Sequence, residues 1–279
     1  MLLLMTGFII IRCATSNQVD NLESIDREIP TAENCAKSEE KIKFRNQFFK
    51  ALRGRGLLET SDSQFDVDLA LVFPDRLRIE VLGPLGIKYA LVVANNKWVL
   101  IYIPKHKTVY RIPSRELLSS ESERGLVFRQ NIPFEFNPAL LVPALMSRPI
   151  FESTASMGCK QKKCQVNEQW RTLVVGSMCR GTENPEMAIN STFQVHPEFA
   201  YPYEWGAELT LGVKKVARHK VSYKSFTGAG VSSLPSEIVF SDGKQELFTF
   251  SWVEAEKWEN PEDETFQWPI PAGVGVKDY

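Results

Sequence analysis

The run QFDVDLALVFPDRLRIEVLGPLGIKYALVVANNKW, residues 64–98, decides the fold. Phe65, Val67, Leu69 and Leu71 alternate with Asp66, Asp68 and Ala70, the period of a half-buried strand. Pro74-Asp75 makes a turn, and Leu77, Ile79 and Val81 then alternate with Arg76, Arg78 and Glu80. Gly83-Pro84-Leu85-Gly86 is a second turn. Tyr89–Val93 is the next strand, Asn95-Asn96 reverses it, and Trp98–Ile103 runs back. Pro104–Lys107 turns once more into Val109–Arg111. Short strands joined by tight turns predict an antiparallel meander.

Working outward, Ile42, Phe48, Phe49 and Leu52 recur at helical spacing, so Glu39–Leu52 reads as an amphipathic helix packed on the sheet and stopped by Gly54 and Gly56. Ala14–Ser38 is polar, acidic and poor in aromatics, the composition of a flexible tether. Downstream, Asn137–Met146 is short, apolar and broken by Pro143, with Asn137 as cap and Pro138 in the first turn. It reads as a greasy helix or loop covering an opening. Further strands are expected at 170–175, 187–195, 207–216, 220–226, 237–240 and 246–254. About ten strands with few helices predict one mainly β (α+β) domain over 39–279, its antiparallel sheet curved into an incomplete barrel.

Composition narrows the function. The 279 residues are 43% hydrophobic and 11% aromatic, enough for a large core. Lys+Arg number 33 against 34 Asp+Glu, a formal charge of -1, which is not the basic footprint of a nucleic-acid binder. The Lys160–Lys163 and Lys214-Lys215 clusters read as solvated turns. Catalysis has little support. The nucleophile elbow Gly-x-Ser-x-Gly is absent, and Gly228-Ala229-Gly230 is half a phosphate-binding fingerprint without its helix. Asp66 and Asp68 share a strand face that the alternation turns toward solvent.

The N-terminus reads as an export segment. Leu2–Ile11 is apolar apart from Thr6 and Gly7, half the length of a membrane span but right for a leader's apolar core. It ends at Arg12-Cys13 and resembles a bacterial lipoprotein signal, which implies a lipidated Cys13. It departs from that pattern in Arg12, where a small residue is usual, and in lacking a basic residue before the apolar run. Cys35, Cys159, Cys164 and Cys179 then form an even set, which in an exported chain suggests two disulfides. Cys159 and Cys164, close in sequence beside a Lys-rich turn, are the expected pair. Zinc would need tighter ligand spacing, and His106, His196 and His219 are scattered. No metal or cofactor is expected.

Pro74–Glu80, Gly83–Gly86, Asn95-Asn96, Val109-Tyr110, Leu234–Phe240 and the ending Phe266…Pro269-Ile270-Pro271-Ala272-Gly273 together resemble the LolA/LolB superfamily of bacterial lipoprotein carriers, in particular its lipid-anchored LolB-like members. The resemblance implies an unclosed half-barrel with a helical lid and a cavity for acyl chains, lined here by Phe65, Val67, Leu69, Leu77, Ile79, Val81, Leu91, Val93, Leu100 and Ile101. It implies a chain that is not an enzyme but delivers or inserts lipoproteins at the outer membrane, on the periplasmic face. A periplasmic carrier protein would be its partner, the membrane would be reached through the lipid anchor, and Leu85 would touch the bilayer. Residues of about 152–199, with three cysteines, have no counterpart in that family and read as an insertion. The alternative is a structural or sensor lipoprotein binding a protein partner, in which the same positions would meet a second sheet.

Overall fold

The computed structural model describes residues 30–114, 138–148, 157–182, 185–198, 200–227, 233–242 and 244–278. The leader 1–13 with Cys13, and residues 14–29 of the expected tether, lie outside the described residues.

Among the described residues the order is one α-helix, six strands, a second α-helix and nine more strands. Helix α1 is Ala32–Phe48. Strands β1 (Ala51–Glu59), β2 (Gln64–Val72), β3 (Arg76–Leu82), β4 (Lys88–Ala94), β5 (Trp98–Ile103) and β6 (Thr108–Pro113) follow. Helix α2 is Pro138–Leu145. Then come β7 (Met157–Gln161), β8 (Gln165–Asn167), β9 (Thr172–Gly181), β10 (Met187–Val195), β11 (Pro202–Leu211), β12 (Lys214–Thr227), β13 (Leu234–Ser241), β14 (Glu246–Lys257) and β15 (Gly275–Asp278).

All fifteen strands share one sheet, ordered β15-β6-β5-β4-β3-β2-β1-β14-β13-β12-β11-β10-β9-β7, with β8 also on β9. The pairings are antiparallel except that β15 lies parallel to β6. Among the described residues β15 and β7 are the two edges and do not pair, so the curved sheet stays open as a half-barrel. Both halves and both helices feed one apolar core, from Leu52, Leu71 and Leu77 to Phe193, Trp205 and Phe250.

The meander expected at 64–111 is present with its turns. Expectations upstream and downstream of it are corrected. The helix starts at Ala32, inside the supposed tether, because three contacts order that segment. The Asn34 side chain accepts from the Thr31 N–H at 2.7 Å as a cap, Cys35 is disulfide-bonded, and the Ser38 hydroxyl donates to the Pro197 carbonyl at 2.9 Å. The helix ends at Phe48, and Leu52 belongs to β1, a strand that Gly54 and Gly56 had hidden. A Cβ on Gly54 would lie 2.1 Å from the Glu254 carbonyl oxygen, and one on Gly56 2.3 Å from the Phe250 ring. These glycines permit close strand and ring approach rather than stopping a helix.

Within the segment 152–199, strands β7, β8, β9 and β10 lie in the same sheet as the rest of the chain. The strands expected at 207–216 and 220–226 are instead one long hairpin that turns at Gly212-Val213, with Leu211 opposite Lys214. The cysteines pair as Cys35–Cys164 and Cys159–Cys179, not Cys159 with Cys164. Register dictates this, because Cys159 on β7 stands directly opposite Cys179 on β9. Cys164, beyond the end of β7, is left to tie α1 to that edge of the sheet.

Candidate functional site

The concave face is built by alternation. Val67 pairs with Val81, Leu69 with Ile79 and Leu71 with Leu77, and these in turn meet Ala90, Val92 and Ala94 of β4. Val99 and Ile101 continue the same face on β5. Phe65, Val67, Leu69, Leu77, Ile79, Val81 and Ile101 are thus brought together facing the core, all buried.

Leu91, Val93 and Leu100 are not part of this surface. Val93 lies opposite Arg78 and Leu100, and Leu91 opposite Glu80 and Tyr102, on the convex side. They read as inward because β4 is apolar on both faces, with Leu91 and Val93 each only 1% exposed. Their cover is the segment before β15, which crosses the convex face. Asn95 donates to the Phe266 carbonyl, and Trp268 stacks beside Tyr102 with centroids 4.9 Å apart.

Helix α2 lies against the concave face. Between it and the sheet is a cavity of about 20 Å³, lined by Leu58, Val67, Leu69, Ile79, Leu141, Leu145, Phe248 and Phe250, with no polar side chain among them. That volume holds about one water. The expected cover over an open groove is therefore a plug. Leu140 through Met146 are all buried, and Leu141 and Leu145 occupy the floor that an open groove would expose. A helix apolar all round is one buried on all sides. Phe248 and Phe250, on the central strand β14, were missed as lining because the sequence alone does not place β14 beside β1.

A polar layer closes the C-terminal end of α2. Arg45 of α1 donates to the Ser147 hydroxyl and, at 2.6 Å, to the Ser233 carbonyl. Burial pulls its guanidinium down to about 10, against the opposing influence of Tyr223 and Tyr201. Burial likewise pushes the Tyr223 phenol far above its ordinary range. Arg148, just past α2, donates to the Phe49 carbonyl at 3.0 Å and lies 3.5 Å over the Phe73 ring. Two arginines, one in α1 and one just past α2, thus cross-brace the two helix ends.

At one rim of the sheet, the β3–β4 turn presents Leu85 98% exposed and Ile87 67% exposed. Leu85 is held at φ 64°, ψ 20°, the left-handed region, by a turn in which the Gly83 N–H donates to the Ile87 carbonyl at 2.8 Å. That conformation costs a leucine about 1–2 kcal/mol relative to glycine, and the exposed side chain recovers none of it by packing.

No group of three His, Cys, Asp or Glu side chains among the described residues could hold a metal ion. No described helix is long and apolar enough to cross a membrane. Asp66 and Asp68 point to solvent, and His106 sits in an exposed turn.

No protein-family model matches the chain, and no curated protein matches it in sequence. Solved structures do match. A LolA superfamily protein from Nitrosomonas europaea superimposes with a TM-score of 0.52 at 10% identity, over 84% of this chain and 97% of that one. The fold is LolA-like. A domain named for outer membrane lipoprotein sorting, from Vibrio parahaemolyticus, gives 0.51 at 12% identity over 85% and 97%. A DUF1329 family protein from Desulfovibrio piger gives 0.52 at 8% identity over 84% and 97%. These likenesses span most of this chain.

Proposed function

We propose that this chain is a non-catalytic envelope lipoprotein that accommodates acyl chains between its LolA-like sheet and α2, and helps deliver or insert lipoproteins at the outer membrane. The observation that carries this reading is the wholly apolar interface between α2 and the sheet, with Leu141 and Leu145 seated on Val67, Leu69 and Ile79. Phe65, Leu77, Val81 and Ile101 extend that floor on either side. Each methylene buried is worth about 0.8 kcal/mol, so an acyl chain seated on this floor offsets the apolar burial that α2 gives up when it lifts. The Arg45 and Arg148 brace holds the C-terminal end of α2, so the helix pivots there.

In this reading Cys13 carries the lipid anchor on the periplasmic face of the outer membrane. A periplasmic carrier protein supplies the acylated cargo, and Leu85 enters the bilayer during transfer. A strained, exposed leucine at a rigid turn supports that contact. Four cysteines paired in two disulfides suit an oxidising envelope compartment.

The test is native mass spectrometry with lipid extraction on the chain purified without detergent. Acyl lipid that co-purifies and is displaced by a fluorescent fatty acid supports the carrier. Absence of both in a folded protein favours the second reading, a closed scaffold that binds a protein partner. The small volume of the cavity is the observation on that side.

A further inference from the structure

We infer that the rim bearing Leu85 docks on an anionic phospholipid surface, with the neighbouring β5–β6 turn supplying the headgroup contacts; this rests on the bilayer-contact reading of Leu85. Consecutive antiparallel strands place the turns 60–63, 83–87 and 104–107 on one rim, because each joins two neighbours of the meander at the same end. The 104–107 turn lies next along the sheet from Leu85 and consists of Pro104, Lys105, His106 and Lys107, the last three exposed. No described carboxylate forms an ion pair with Lys105 or Lys107. By contrast Lys88, at the foot of the Leu85 turn, is paired to Glu80 at 2.6 Å.

The turn is held rigidly. The Lys107 N–H donates to the Pro104 carbonyl at 3.1 Å, and the Gly275 N–H of β15 donates to the Lys107 carbonyl at 2.9 Å. An apolar projection of Leu85 and Ile87 beside a fixed basic turn is the arrangement that suits a bilayer surface, with apolar side chains below the headgroups and ammonium groups among the phosphates. Described acids at this rim, among them Glu59, Asp62, Asp242 and Glu246, stand on the other side of Leu85, toward the middle of the sheet. That polarity tilts the docked molecule onto its β5–β6 side. A whole-chain charge of -1 gives no general attraction to an anionic membrane, so the local turn decides.

The experiment attaches an environment-sensitive fluorophore to the full chain carrying Ile87→Cys and Cys13→Ser, so that the label sits at residue 87 alone and no lipid at residue 13 contributes. The chain is then titrated with vesicles of phosphatidylcholine alone, or with phosphatidylglycerol in equal part. A blue shift strong on the mixed vesicles and weak on the neutral ones is expected, and it diminishes in high salt. Lys105→Glu with Lys107→Glu weakens the mixed-vesicle response about twenty-five-fold, roughly fivefold for each lysine. Lys97→Glu, the same substitution at one residue of an exposed turn at the opposite rim, leaves it unchanged. Equal responses on neutral and anionic vesicles, or equal losses from Lys97→Glu, overturn the proposal. No response on any vesicle overturns it together with the Leu85 contact. A charge-selective response in a chain that binds no fatty acid upholds the docking surface and removes the carrier reading.

Discussion

Arg148, one turn beyond the plug helix, donates a 3.0 Å hydrogen bond to the carbonyl oxygen of Phe49, the residue that closes α1. Arg45 of α1 reaches the other way to Ser147. The two helix ends are thus tied together by buried guanidinium groups. Arg148→Ala removes a charge-assisted hydrogen bond and the stacking on Phe73, a loss of about 2–3 kcal/mol. Urea denaturation measures that loss, and stopped-flow uptake of a fluorescent fatty acid becomes faster as α2 loosens.

The two disulfides differ in what they restrain. Cys35–Cys164 spans 129 residues of sequence and Cys159–Cys179 spans 20. Loop-closure entropy then assigns about 5 kcal/mol to the first and about 3 kcal/mol to the second. Replacing Cys35 and Cys164 together by Ser lowers the thermal midpoint more than replacing Cys159 and Cys179, as calorimetry on the two double variants checks.

Three glycines give a graded series. Gly54→Ala drives a Cβ into the Glu254 backbone, which cannot turn aside, while Gly56→Ala displaces the Phe250 ring that lines the cavity. Each costs about 1–3 kcal/mol by overpacking, with Gly54→Ala the larger. Gly158→Ala, with nothing within 4 Å of the added carbon, leaves the denaturation midpoint unchanged.

Acid sensitivity has an identifiable contributor on the convex face. Burial raises the Glu80 carboxyl, but hydrogen bonds and charge from Lys88 and Arg78 outweigh it and hold the group below its ordinary 4.5. A carboxyl depressed in the folded state stabilises fully above its unfolded value, and that gain disappears as pH falls through the folded value. Glu80→Gln therefore costs up to about 1 kcal/mol at neutral pH and nothing well below pH 4.5, because solvent screens a partly exposed pair. Denaturation midpoints of both chains across that range converge on the acid side.

The sheet was legible where apolar and polar residues alternate, from Phe65 through Tyr110. It was illegible in β1, although Leu52, Gly54, Gly56 and Leu58 alternate with Arg53, Arg55 and Leu57. The glycines mask a period-two signal because the Glu254 backbone and the Phe250 ring occupy the space where their side chains would stand. The face of Leu91 and Val93 could not be read from Ala90–Ala94, an unbroken apolar run with no phase. Only the covering segment around Phe266 explains why both faces of β4 are greasy. The cysteine pairing needed the β7–β9 register, a long-range fact that spacing along the chain does not contain.

Equilibrium titration of a fluorescent fatty acid, on the chain and on its Leu141→Ala variant, tests acyl binding under α2 most directly. Leu141, only 7% exposed, lines the same apolar cavity as Leu69 and Ile79, so its truncation enlarges a space that welcomes hydrocarbon. Saturable binding by the parent, tightened in Leu141→Ala, is the expected result. A folded Leu141→Ala variant that binds no more fatty acid than a parent that binds none would contradict it, and the LolA-like sheet would then be a closed scaffold.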